Sequence, residues 1–136
     1  MSASTNIVGL SDYICSLEQS AKDGDKNAMN NLAVCHFNGE GTEKNLEKAF
    51  YWYQKAAEMD HIEAQFNLAL CYFNGEGTKM NLEKAFYWYQ KAAEMGHIEA
   101  QYNLNICYYI GFITEKNLEK AFYWCQKAQK MAIKVQ

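Results

Sequence analysis

Histidines, glutamates and cysteines recur along this chain at one spacing, and their chemistry is the first thing to weigh. His61 and His97, Glu63 and Glu99, and Cys35, Cys71 and Cys107 each repeat at an interval of 36 positions. A zinc or hydrolytic site built on a helix needs its ligands one turn apart, as in His-x-x-x-His or Glu-x-x-His, and no such arrangement supports metal chemistry here. Periodic residues are first parts of a periodic fold. His61 and His97 flank links between helices, where an imidazole can cap a helix end. His36 takes the place of an aromatic residue and reads as structural. No Ser, Cys or His pair has the character of a catalytic triad. Gly39-Glu40-Gly41-Thr42 has the look of a phosphate loop but follows a helix, not a strand, and lacks the Lys-Ser/Thr end. These residues predict a non-enzymatic chain with no catalytic residues, no metal and no cofactor.

Charge and composition narrow the partners. Thirteen Lys and Arg against sixteen Asp and Glu leave a formal net charge of -3, without a basic tail, which disfavours nucleic acid. No apolar run approaches the roughly 20 residues of a membrane span, so no membrane insertion is expected. Met1–Gly9 lacks the charged and apolar regions of a secretory signal, which predicts a cytoplasmic or nuclear protein, not a secreted one. Five cysteines, an odd number without a Cys-x-x-Cys pair, read as reduced structural thiols.

The elements that carry these residues are repeats. Residues 28–63 and 64–99 match at 29 of 36 positions without a gap, and the copy starting at Ala100 matches the second at 20 of 32 positions. Each copy is then one supersecondary unit stacking on its neighbours. Ala28, Leu32 and Cys35 share a helical face, and the helix breaks at Asn38–Thr42, with Gly39 suited to a left-handed C-terminal turn. A second helix starts near Asn45, which can cap it, and ends around Met59. Its apolar stripe is Leu46, Ala49/Phe50, Tyr53 and Ala56/Ala57. The expected division is a flexible segment 1–9, a capping helix within 10–27, and repeats at 28–63, 64–99 and 100–136, the last with a C-terminal cap. One period before Leu46, Leu10 keeps the apolar phase, so Leu10–Lys22 predicts a lone second helix.

The line Ala64, Leu68, Ala69, Tyr72, Gly75, Gly77, then Lys84, Ala85, Trp88, Tyr89, Lys91, Ala92, Ala93, Glu94 and Gly96 resembles the Sel-1-like repeat, a relative of the tetratricopeptide repeat. The first copy carries His36 and Asp60 in place of Tyr and Gly. The third departs at Asn105, Ile113 and Cys125, as a terminal unit modified to face solvent or a missing neighbour would. The resemblance implies an all-α, right-handed α/α superhelical solenoid of stacked antiparallel helix pairs. It also implies an adaptor or scaffold that binds protein on its concave surface or edges. Some secreted bacterial relatives carry paired cysteines in every repeat; this chain, with one recurring cysteine, does not fit that branch.

The candidate surface follows from the stack. First helices line the concave side, and their off-core positions are read as Met29, Asn30, Asn31, Val34 and Phe37, with Gln65, Phe66, Asn67, Leu70 and Phe73, then Gln101, Tyr102, Asn103, Ile106 and Tyr109, as equivalents. From these, Asn30, Asn31, Val34, Phe66, Asn67, Leu70, Tyr102, Asn103 and Ile106 form the candidate protein-binding face. Asn31, Asn67 and Asn103 serve either to clamp a peptide backbone or to tie down an adjacent helix. An alternative rim site is Tyr51, Tyr87 and Tyr123, while Trp52, Trp88 and Trp124 are expected to stack between hairpins. A protein or peptide ligand is the expected partner. A self-associating structural module, pairing weakly through the apolar end near Cys125, Met131, Ile133 and Val135, and a regulatory subunit of an enzyme complex are the alternatives.

Overall fold

The structure, a computed structural model, describes residues 3–135, with side chains from Gly9 to Lys134. The described residues form seven helices: α1 (Ala3–Lys22), α2 (Lys26–Asn38), α3 (Leu46–Glu58), α4 (Ile62–Asn74), α5 (Leu82–Glu94), α6 (Ile98–Ile110) and α7 (Leu118–Val135). Their main contacts run between helices adjacent in the chain, giving an all-α solenoid of stacked antiparallel pairs.

Caps fix the helix starts. Asn45, Asn81 and Asn117 each accept a hydrogen bond on the side-chain oxygen from the backbone N–H three residues on, at 3.0 Å. The backbone N–H of the same asparagines donates to His36, Tyr72 and Tyr108 carbonyls at 2.8 Å, tying each second helix to the end of the first. The first helices end on Gly39, Gly75 and Gly111, all left-handed with φ near +70° (73, 69 and 73).

A second left-handed residue seats each of the first two loops on the helix before it. A Cβ at Gly77 would run into the Leu46 carbonyl and come within 2.9 Å of Phe50 Cβ; at Gly41 it would meet Ile14 at 2.9 Å and the Leu10 carbonyl at 3.1 Å. Thus α1 stands to the first hairpin as α3 stands to the second. In the third copy Ile113 occupies this position at φ 71, and the Tyr108–Asn117 tie is intact. The loop keeps its backbone course despite the missing glycine. Asp60, at φ 61, turns the chain where Gly96 turns it at φ 99.

Helix α1 is longer than the sequence pattern predicts. Its backbone is already helical at Ala3, not first at Leu10. The apolar phase that marks Leu10 needs a neighbour to bury it, but no proline or paired glycine ahead of it stops the helix. Met1 and Ser2 lie outside the described residues.

The core runs along the stack. Leu32, Leu68 and Leu104 are fully buried at its centre, and the small residues Ala49, Ala56, Ala85 and Ala92 let the helices approach closely. Between hairpins, Phe50 stands edge-on to Tyr72 (ring centroids 5.3 Å) and Phe86 to Tyr108 (5.7 Å). His36 is buried at the matching position in α2, one period before Tyr72.

Candidate functional site

Two of the expected face residues are not on the surface. Asn30 and Phe66 are 7 % and 6 % exposed, so the candidate face is corrected at both positions. Met29, Gln65 and Gln101, read from the sequence as off-core, are buried as well. The physical reason is common to all five. An internal first helix packs on its own hairpin partner and on the preceding hairpin, so its buried arc is much wider than one stripe. Phe66 stacks on His97 (centroids 4.3 Å, planes 22° apart) and leans against Tyr89 at 5.8 Å. The amide nitrogens of Gln65 and Gln101 donate to the Ala57 and Ala93 carbonyls at 3.3 and 3.0 Å, satisfying carbonyls at the ends of α3 and α5.

The remaining face residues are accessible. Asn31, Tyr102 and Ile106 are exposed, and Val34, Asn67, Leu70 and Asn103 are half-buried. Asn67 donates to the Asn30 side-chain oxygen at 3.4 Å, a long bond between α4 and α2, so in that copy the asparagine reaches toward a neighbouring helix.

Only part of this face gathers into a groove. Leu70, Asn103 and Ile106 line a pocket of about 310 Å³ with Phe73, Asn74, Tyr89, Cys107 and Phe112. None of the eight carries a formal charge at neutral pH. Burial, with Cys107 adding to it, pushes the Tyr89 phenol up to about 12, and burial raises the Cys107 thiol. Asn31, Val34, Asn67 and Tyr102 are not among these lining residues.

Phe112 was missed by the sequence reading. In the first two copies Asn38 and Asn74 donate to Glu40 and Glu76 at 3.2 and 3.1 Å, closing a polar turn. The third copy has Ile110 and Phe112 in those places, and Phe112 packs edge-on to Phe73 at 6.1 Å. The signal was present: an apolar pair replaces a repeated polar pair in an otherwise similar framework.

The tyrosines of the alternative site are half-exposed. Tyr51, Tyr87 and Tyr123 are 50 %, 53 % and 51 % exposed, and each stands edge-on to the following Trp at 5.0 to 5.1 Å. A lysine one turn on, Lys55, Lys91 or Lys127, holds its ammonium 5.5 to 5.9 Å from the tyrosine ring. The tryptophans are more enclosed. Trp52 shares a cleft with Ala21, Lys22 and Met29 at the α1 seam, and Trp124 is buried.

The residues weighed first for chemistry have structural positions. His61 and His97 are N-caps, each accepting on Nδ1 from the N–H of Ala64 or Ala100 at 3.1 Å. Asp25 does the same work for α2, accepting from Asn27 and Ala28 at 2.9 and 3.2 Å. His97 also places Nε2 2.9 Å from a Glu63 carboxylate oxygen, joining consecutive links. Burial lowers the proton affinity of His36 and His61, with Lys48 and Lys26 respectively adding to it. All five cysteines are free. Burial, helped by Glu76, pushes Cys71 up to about 12, and burial with Glu40 raises Cys35, so these thiols stay protonated near neutral pH. Among the described residues no group of three or more His, Cys, Asp or Glu side chains is arranged to hold a metal, and no helix is long and apolar enough to cross a membrane.

Three bacterial proteins of known structure share this architecture. A Sel1 repeat protein from Oxalobacter formigenes superimposes with a TM-score of 0.76 at 31 % identity, over 79 % of this chain and 44 % of that one. A protective antigen present in uropathogenic Escherichia coli strains, which displays the same repeat fold, gives 0.82 at 33 % identity over 86 % of this chain. This chain spans 25 % of the antigen's length. Cysteine rich protein B of Helicobacter pylori shares the fold at a TM-score of 0.62 and 24 % identity, over 64 % of this chain and 65 % of its own. No curated protein matches. The Sel1 repeat itself matches three times in succession, at residues 26–61, 62–97 and 98–130, and the chain belongs to the Sel1 repeat family.

Proposed function

We propose that this repeat stack is a non-catalytic adaptor that holds a protein or peptide partner in the groove between α4 and α6. The observation that carries the proposal is the uncharged pocket lined by Leu70, Phe73, Tyr89, Ile106 and Phe112, with the Asn74 and Asn103 amides among its walls. Such a site takes a large apolar side chain, and the amides suit a polar backbone beside it. The partner accordingly presents a Leu, Phe or Met anchor in an otherwise polar segment. Proteins of this repeat family bind protein partners through such surfaces, which supports the assignment. Five free cysteines and buried, protonated thiols support a cytoplasmic or nuclear setting.

Selection from a displayed random-peptide library tests this. Wild type should enrich peptides with an apolar anchor, and Leu70→Glu/Ile106→Glu, shown folded by circular dichroism, should weaken them at least about tenfold. That factor corresponds to losing the burial of one large apolar side chain, about 1.5–3 kcal/mol. Peptides that bind the double variant as well as wild type refute the groove. A second site is favoured by the half-exposed Tyr51, Tyr87 and Tyr123, each backed by a tryptophan and a lysine. Loss of binding on replacing those three tyrosines by alanine, with the groove variant unaffected, moves the partner to the rim.

A further inference from the structure

Helix α7 presents a seam surface without a following hairpin among the described residues. In α3 the stripe Leu46, Phe50, Tyr53, Ala57 meets the next hairpin, and in α5 the stripe Leu82, Phe86, Tyr89, Ala93 does so. Tyr72 and Tyr108 stand against the two phenylalanines, and the tyrosines and alanines of both stripes are buried. The same positions in α7 are Leu118, Phe122, Cys125 and Gln129, continued by Ile133. Here Leu118 is 56 %, Phe122 64 % and Ile133 71 % exposed.

The turn that leads α3 and α5 into a next hairpin is not made at the matching position of α7. The earlier second helices end where Asp60 and Gly96 turn left-handed, whereas Ala132 at that position is helical and α7 runs on to Val135. A first helix of the ordinary kind also fits poorly. In α3 and α5 it packs over Ala57 and Ala93, and α7 offers the larger Gln129 there.

We infer that α7 docks antiparallel on α7 of a second copy of this chain. Positions 118, 122, 125, 129 and 133 follow at steps of four, three, four and four, so they lie along one side of the helix. Reversed about a point between residues 125 and 126, this stripe falls back on itself. Leu118 lies opposite Ile133 of the other copy, Phe122 opposite Gln129, and Cys125 next to its own mate. The small cysteine at the crossing, where α3 and α5 have tyrosine, lets the two helices close and the Phe122 rings lie to either side. Charge selects the direction. Glu119 flanks the stripe near one end and Lys130 and Lys134 near the other. Antiparallel docking brings unlike charges together, and parallel docking brings like ones. The contact is two-fold and self-complementary, the commonest form of homodimer. It leaves the groove between α4 and α6 free and is independent of what binds there.

Sedimentation velocity over a concentration series, with the full chain, tests this. The expected result is a rise toward twice the mass of one chain, lost in Phe122→Glu. Phe122 is exposed, so the substitution leaves the monomer folded, which circular dichroism checks. Glu119→Lys should weaken the dimer about tenfold, and adding Lys130→Glu/Lys134→Glu should restore it. All three positions are exposed, so this arm decides even where Phe122→Glu fails to fold. In a Cys15→Ser background, diamide should link two chains through Cys125, taking up the two thiol hydrogens as the disulfide forms. A mass of one chain at every concentration overturns the inference. So does a dimer that survives Phe122→Glu, or a charge reversal that restores nothing.

Discussion

Gly75 and Gly77 have nearly the same backbone and different surroundings, so a pair of alanine substitutions separates conformational cost from packing cost. Their φ values are 69° and 75°, and alanine in the left-handed region costs about 1–2 kcal/mol at either site. At Gly75 the new Cβ finds Met80 N at 3.2 Å and Met80 Cβ at 3.5 Å, contacts an exposed loop relieves by a small shift. At Gly77 it runs into the Leu46 carbonyl, and Phe50 Cβ stands 2.9 Å away on the same helix. Neither backbone nor a Cβ can swing aside, so the loop must lift off α3. Such overpacking adds about 1–3 kcal/mol. Gly75→Ala should therefore cost about 1–2 kcal/mol and Gly77→Ala about 2–5 kcal/mol. Urea unfolding followed by far-UV circular dichroism measures both, and an unchanged m-value certifies that stability alone has moved. Equal losses for the two variants would refute the seating of the loop on the preceding helix. They would also remove the reason for glycine at Gly41.

Two further outcomes follow from the links and from the buried imidazoles. Asp60→Gly should stabilise the chain by about 1 kcal/mol, read as a higher thermal midpoint, because it relieves a left-handed non-glycine residue and removes a negative charge beside the C-terminus of α3. His36 and His61 bind protons less readily when folded than the ordinary value of 6.5, through burial first and then Lys48 and Lys26. Above about pH 7.5 both are neutral in either state and contribute no pH dependence. As the pH falls through 6.5 the unfolded chain takes up protons first, so stability should drop between pH 7.5 and 5.5. Protonation of Nδ1 also ends the His61 cap on Ala64. His36→Tyr/His61→Asp, which copies Tyr72 and Asp25, should flatten that part of the curve; a slope as steep as wild type would show that other groups cause it.

The repeat register, the asparagine caps, the left-handed glycines and the stripe of the second helices were legible because each is a local rule applied three times. The wide burial of the first helices was not. Leu32 and Cys35 announce one face, but Phe66 and Gln65 are buried by contacts with other helices and links, Tyr89 and His97 for the one and Ala57 for the other, which no window within a helix can reveal. Gln65 misleads most, since a glutamine on a helix normally faces water; its partner is the carbonyl of Ala57 across the link. Phe112 shows the opposite case. Its place on the groove follows from comparing it with Glu40 and Glu76, a contrast visible in the sequence and informative only once the turn is known to border a pocket.

Helices α3 and α5 share one sequence, LEKAFYWYQKAAE, residue for residue. During folding, a first helix therefore meets two equally good partners, and local contacts cannot tell the right hairpin from one displaced by a whole period. A displaced pairing loops out the intervening repeat, and the entropy of closing a longer loop rises only slowly with its length. The penalty for the error is carried by the mismatched ends, where Ile14 meets the first hairpin and Cys125 departs from the common pattern. Refolding should consequently show a slow phase of register correction. At high concentration the same ambiguity favours exchange of hairpins between molecules.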